Sequence, residues 1–281
     1  MAGTTVRSRR LAGILKEYRK ASGLRQPEVA AYVGRTSVWV SRTETAATCR
    51  PSVGDVRALL VLYGVTSPAE IEQVVDLARQ VRETGWWHDY GLSDTHRSFV
   101  ALESEAAGKR VWSDMFIPGL LQTEGYARAV ITAGPDTLDD ARVDDLVRVR
   151  MERKKILHRP RPLQFHALTD EAALRRRVGT REVMAAQLDH LADAASQPNV
   201  TLQVVPFTAG AHPGMAGPFS ILEYPDPADP DVVYAETPAG GIYMEDAPGI
   251  ERTYRAFAYL AALALSPAAS LDLADRYAAG L

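Results

Sequence analysis

A single cysteine, Cys49, stands in 281 residues. That scarcity excludes an internal disulfide framework and any metal site built from several thiolates. Cys49 itself stays open between a redox sensor and an ordinary, partly exposed thiol. Long apolar runs are also missing. The most apolar stretch, 256–265, is too short to span a bilayer and stops at Ser266-Pro267. Residues 1–20 are basic and polar, without the apolar core of a signal peptide, so a soluble cytoplasmic protein away from membranes is expected. Catalytic signatures are lacking: there is no G-x-S-x-G, no H-E-x-x-H, no G-x-x-x-x-G-K and no G-x-G-x-x-G after a strand. The six histidines, at 88, 96, 158, 166, 190 and 212, do not have ligand spacing, so no metal, no cofactor and no enzyme activity are expected. Internal repeats and low-complexity tracts are absent too.

What is present is an ordinary globular composition, 46% hydrophobic and 24% charged, long enough for two domains. Charge is unevenly placed. Residues 1–50 hold ten Lys or Arg against three acids, a net of +7, whereas the whole chain is −3, which leaves −10 for the remaining 231 residues. A basic end on an acidic body suits a polyanion bound at one end only.

The basic end carries the most informative stretch, LRQPEVAAYVGRTSVWVSRTE at 24–44. Gln26 to Val33 reads as a helix with Val29, Ala30 and Val33 on one face, and Gly34 is suited to a left-handed turn that ends it. Thr36 is a good N-cap for a second helix to about Glu44. Ala30 is small enough for the helices to cross closely, and Val40 plugs the space between them. Leu11, Leu15 and Tyr18 supply a preceding helix, and Val56, Leu59, Leu60 and Tyr63 a following one opened at Pro51-Ser52 and closed by Gly64. A further helix capped by Thr66 or Ser67 runs through Ile71, Val74, Val75 and Ala78. An all-α, five-helix helix-turn-helix domain over 1–82 results.

In order, L-x6-Y-R from Leu11, G-L-x-Q-x-E-V-A at 23–30, V-G-x-T-S-x-x-V-S-R-x-E at 33–44, R-P-S at 50–52 and Y-G-V at 63–65 resemble the Cro/repressor-like (XRE) DNA-binding domains. The resemblance implies that Arg35, Thr36, Ser37, Val38, Trp39, Ser41 and Arg42 lie at double-stranded DNA. Ser37, Val38 and Arg42 would read base edges, Val38 against a thymine methyl and Arg42 gripping a guanine. Gln26 matches a phosphate clamp, aided by the helix N-terminus. Trp39 is unusual there and either lies along the DNA backbone or packs on the first helix. Arg19 and Glu44 match a structural ion pair. Thr43 departs from the pattern, which usually has an apolar residue.

Residues 83–281 read as an α+β effector and dimerisation domain with a mostly antiparallel sheet. Helices are expected near 95–110, from Pro118 through Leu121, Tyr126 and Val130, over 138–157, from Thr180 through Leu191, over 249–265, and after the Ser266-Pro267 cap. Strands are expected at 163–168, 200–205, 218–224, 232–236 and 241–245. The basic stretch Arg148 to Arg161 is either a second DNA contact or a solvated face pairing with the acids at 136–145, with Val149 and Ile156 inward.

ALESEA at 101–106, PGLLQTEGYARAV at 118–130, DEAALRRRVG at 170–179, the long segment 197–224, DVVYAE at 231–236 and LALSPAAS at 263–270 resemble the second domain of WhiJ-like actinobacterial regulators. That resemblance implies a transcription regulator, or an antitoxin-like module that sequesters a small protein partner and autoregulates. As a regulator the protein is expected to bind DNA as a homodimer, with two recognition helices in successive major grooves. Candidate contacts for a small-molecule effector or partner peptide are Glu103, Gln122, Thr123 and Tyr126, together with His212 in the loop TAGAHPGMAGPF, whose three glycines and two prolines permit close approach. The alternative is that the Leu- and Gly-rich motif shapes a turn and fills the core with Leu120 and Leu121.

Overall fold

The computed structural model describes residues 5–46, 51–82, 85–134, 137–226, 229–237 and 240–281. Cys49 and Arg50 lie outside the described residues. Two compact units divide the chain, 1–105 and 106–281.

The first unit is helical among the described residues: α1 (Val6–Ala21), α2 (Gln26–Tyr32), α3 (Ser37–Glu44), α4 (Val53–Leu62), α5 (Pro68–Arg82), a 3-10 turn at Trp86–Tyr90, and α6 (Asp94–Glu105). Its boundaries follow local chemistry. Thr36 Oγ1 accepts from Trp39 N–H and Ser52 Oγ accepts from Asp55 N–H, each satisfying an orphan donor of the first turn. Gly34 sits at φ +63°, the left-handed geometry that lets the chain turn tightly from α2 into α3. Leu11, Leu15, Val29, Ala30, Val40, Val56, Leu59 and Leu60 make the core with Val74, Val75 and Ala78 from α5.

The second unit holds a six-stranded sheet of order β3-β2-β1-β4-β5-β6, built from β1 (Gly108–Ser113), β2 (Gln164–Asp170), β3 (Val200–Val205), β4 (Phe219–Glu223), β5 (Val232–Thr237) and β6 (Gly240–Met244). The β1–β2 and β2–β3 pairings are parallel, and β1–β4, β4–β5 and β5–β6 are antiparallel. The sheet is thus mixed. Parallel neighbours need long crossovers, and helices supply them: α7 (Glu124–Thr132) and α8 (Asp140–Lys154) between β1 and β2, then α9 (Glu171–Arg175) and α10 (Arg181–Ala195) between β2 and β3.

Two expectations are corrected. The helix expected to about residue 110 ends at Glu105, and Gly108–Ser113 forms the central strand β1, which the sequence reading missed. The helix expected from Pro118 is a 3-10 turn at Gly119–Leu121 followed by α7, with Thr123 as its N-cap. One sheet face packs Trp112, Leu168, Val205, Ile221 and Val233 against Phe257 and Leu260 of α11 (Ala247–Leu263). Next, α12 (Pro267–Ala279) starts at the Ser266 cap, and Ser270 Oγ accepts from Val204 N–H. Among the described residues no single helix is long and apolar enough to cross a membrane.

The loop from β3 to β4, residues 206–218, leaves the carboxyl end of β3 and enters β4 beside β1, passing the carboxyl ends of β2 and β1. Gly210 (φ +69°) and Gly217 (φ +122°) permit its turns. Trp112 Nε1 donates to Gly214 O at 2.9 Å, and a Cβ on Gly214 would meet the indole at 2.5 Å.

Candidate nucleic-acid interface

Helix α3 is fixed from beneath and open above. Val40 (2% exposed) and Thr43 (3%) point inward, so the polar Thr43 occupies a core position. Glu44 is also buried. Its carboxylate accepts from Arg19 Nε at 2.5 Å and Nη2 at 3.0 Å, and from Gln26 Nε2 at 2.9 Å. Arg19 in turn donates to Leu24 O at 2.9 Å. The hydrogen bond with Glu44 raises the Arg19 pKa against the opposing effect of burial. The ion pair expected as scaffold is therefore present, and it clamps α1, α2 and α3 together. Gln26, assigned to phosphate, shares this network with one amide hydrogen still free by its valence.

Above the clamp, Arg35, Thr36, Ser37, Val38 and Arg42 are exposed and Ser41 is half-buried. Val38 shows 59% of its surface, a large apolar side chain with no core role. Trp39 is half-buried against the helical core, and the Arg35 guanidinium lies 5.4 Å above its ring. Arg35 also reaches Asp55 at 3.2 Å. The face thus offers a hydroxyl, a branched methyl pair and an arginine within two helical turns, the groups that address base edges.

The C-terminal candidates fall into separate settings. Glu103 is buried in α6 of the first unit. Gln122, Thr123 and Tyr126 join one hydrogen-bonded knot. Gln122 Nε2 donates to Ile117 O at 2.8 Å and Oε1 accepts from Arg150 at 2.6 Å, while Lys154 Nζ donates to Gln122 O at 2.6 Å. Thr123 N–H donates to Gln187 Oε1, whose amide returns to Leu121 O. Tyr126 hydroxyl accepts from Ile117 N–H at 3.2 Å. With Leu120 and Leu121 buried beside them, these hydrogen bonds tie the turn to α8 and α10.

Lys154 also meets His190 Nε2 at 3.2 Å. Burial lowers the Lys154 pKa; burial and then the Lys154 charge lower that of His190. The basic stretch largely answers to neighbours, with Arg148 on Asp145 and Lys155 on Glu152, and Val149 and Ile156 buried. His212 belongs to the β3–β4 loop, its ring edge-on to Trp112 at 5.3 Å and its Nε2 3.7 Å from Asp170. Its Nδ1 is buried without a hydrogen-bond partner. Among the described residues no His, Cys, Asp and Glu group could hold a metal ion.

Sequence reasoning did not single out the exposed surface around Arg175, Arg176 and Arg177, although the run of three arginines was its signal. Neither the curated proteins nor the solved structures contain a match to the chain. A helix-turn-helix domain family matches residues 10–74, and a domain of unknown function, DUF5753, matches residues 96–276. Because the second match covers more than half of the sequence, the chain belongs to the DUF5753 family, with a helix-turn-helix domain preceding the family's own domain.

Proposed function

We propose that this protein is a sequence-specific transcriptional regulator of the Cro/repressor-like (XRE) type, acting in the cytoplasm as a homodimer on a double-stranded DNA operator. The observation that carries the proposal is the exposed Ser37, Val38 and Arg42 face on a helix clamped by the buried Arg19–Glu44 pair. In this reading Arg42 and Val38 read bases, and Gln26 and the start of α2 meet phosphate. Two recognition helices would enter successive major grooves about 34 Å apart. The test is fluorescence anisotropy on an operator obtained by selection. Inserting about half a helical turn between half-sites should abolish tight binding. Equal binding to one isolated half-site would overturn the dimer.

The second unit, of the WhiJ-like type in this reading, supplies dimerisation and a sensing or partner surface without catalysis. Its histidines stand apart, His166 on Gln203, His190 on Lys154 and His212 against Trp112, which supports binding over chemistry. A second reading, an antitoxin-like module that sequesters a small protein and autoregulates, draws support from the exposed apolar residues Met115, Phe116 and Phe207. Co-purification of a stoichiometric small protein with the full-length chain from its own host is the expected result. Its absence would count against this second reading alone.

A further inference from the structure

Exposed apolar side chains and arginines follow the carboxyl ends of β1, β2 and β3. Met115 and Phe116, after β1, each expose 44% of their surface, and Phe207, after β3, exposes 50%. Between them lies the end of α9. Arg176 reaches Met115 Sδ at 3.4 Å, and the Arg175 guanidinium lies 5.6 Å from the Phe207 ring and 5.8 Å from that of Tyr277. Glu171 fixes the frame by accepting from Phe207 N–H and from the Tyr277 hydroxyl.

Arg175, Arg176 and Arg177 are exposed, and none makes an ion pair among the described residues. Among the other arginines of this unit, Arg110 pairs with Glu223, Arg128 with Asp144 and Arg148 with Asp145, so what sets residues 175–177 apart is that three stand in a row. Residues 51–281 carry a net −10, so three adjacent unneutralised arginines run against the surrounding charge. Methionine, phenylalanine and arginine are the residue types enriched where proteins meet, and exposed apolar side chains rimmed by polar ones mark a binding surface.

We propose that this surface docks a polypeptide segment bearing carboxylates on either side of a bulky apolar anchor. The anchor would lie among Met115, Phe116 and Phe207, and the carboxylates would pair with Arg176 and Arg177. Fork-shaped guanidinium pairing suits carboxylate geometry, and Arg175 is already preorganised over two rings. The inference rests on the partner-binding reading above and gives that partner its chemistry.

The test uses the full-length chain and a short fluorescein-labelled peptide of glutamates flanking a central Leu-Phe pair. Saturable binding is expected, weakened about tenfold or more when glutamine replaces the glutamates or when Gly-Ser replaces Leu-Phe. Arg176→Glu and, separately, Arg177→Glu should each cause a comparable loss, whereas Arg255→Glu, on an exposed arginine of α11, should leave affinity unchanged. Unaltered melting curves would establish that each variant is folded. No saturable binding, or an equal loss with Arg255→Glu, would overturn the proposal. So would phosphatidylglycerol vesicles that displace the peptide and bind in an Arg176-dependent way, because they would assign the surface to lipid. If a small protein co-purifies undiminished with Arg176→Glu, the docking surface is wrong and the partner reading survives. If nothing co-purifies while the peptide binds as expected, the reverse holds.

Discussion

Glu44 and Arg42 lie two positions apart on α3 and face opposite demands. Glu44 is buried with Arg19 and Gln26 on its carboxylate. Removing one partner of a buried pair leaves the other charge uncompensated. Glu44→Ala is therefore expected to cost about 3 kcal/mol of stability, read by denaturant unfolding; a loss within about 0.5 kcal/mol would place the clamp outside the energetics. Arg42 is exposed, so Arg42→Ala should leave stability unchanged and cost about 1–3 kcal/mol on the preferred sequence while sparing random DNA. Equal losses on both would make Arg42 a phosphate contact. His166 adds a pH dependence. Burial holds its pKa below the ordinary 6.5 against the Gln203 hydrogen bond, with Arg110 lowering and Glu223 raising it further. The unfolded chain then binds the proton more readily, so this contribution is complete above about pH 6.5 and is lost as pH falls through the folded value. His166→Gln should flatten the acid-side decline of the melting temperature; an unchanged slope would assign the decline elsewhere. The exposure of Val38 and Arg42 was legible because the helical period turns both about 160° away from the buried Val40. The Gln26–Glu44 bond was not legible, because it joins α2 to α3 only once both pack on α1.

At the scale of elements, local signals and long-range pairing diverge. Thr36, Gly34, Ser52 and Ser266 mark helix boundaries by capping and turn chemistry that acts within a few residues, and those boundaries were readable. The strand β1 was not. Lys109 and Arg110 occupy it in mid-sheet and erase the apolar alternation that announces a strand. Its neighbours are Phe165 and His166 on one side and Leu222 and Ile221 on the other, all far away in sequence. The parallel pairing of β1, β2 and β3 was hidden for the same reason, since periodicity within a strand carries no information about its neighbour. The β3–β4 loop gives a sharp test of element packing. Gly214 lies so close to the buried Trp112 ring that Gly214→Ala forces a rearrangement, with an expected loss of about 1–3 kcal/mol by thermal or denaturant unfolding. An unaltered midpoint would mean that the loop shifts freely and does not anchor on Trp112.

At the scale of the whole molecule, charge divides along the chain. A basic helix-turn-helix segment leads into an acidic remainder that carries the DUF5753 domain. Attraction to a polyanion belongs to the leading segment, so DNA affinity should fall steeply with salt. The second unit contributes the exposed apolar side chains and arginines that follow the carboxyl ends of its parallel strands, in three loops separated in sequence. The most direct test of the central claim is selection of genomic DNA fragments by the full-length protein, beside a variant with Ser37 and Arg42 both changed to Ala. The account predicts enrichment of a short inverted repeat by the native chain and its loss in the variant. Undiminished enrichment by the variant, or only salt-sensitive general binding by both, would contradict it.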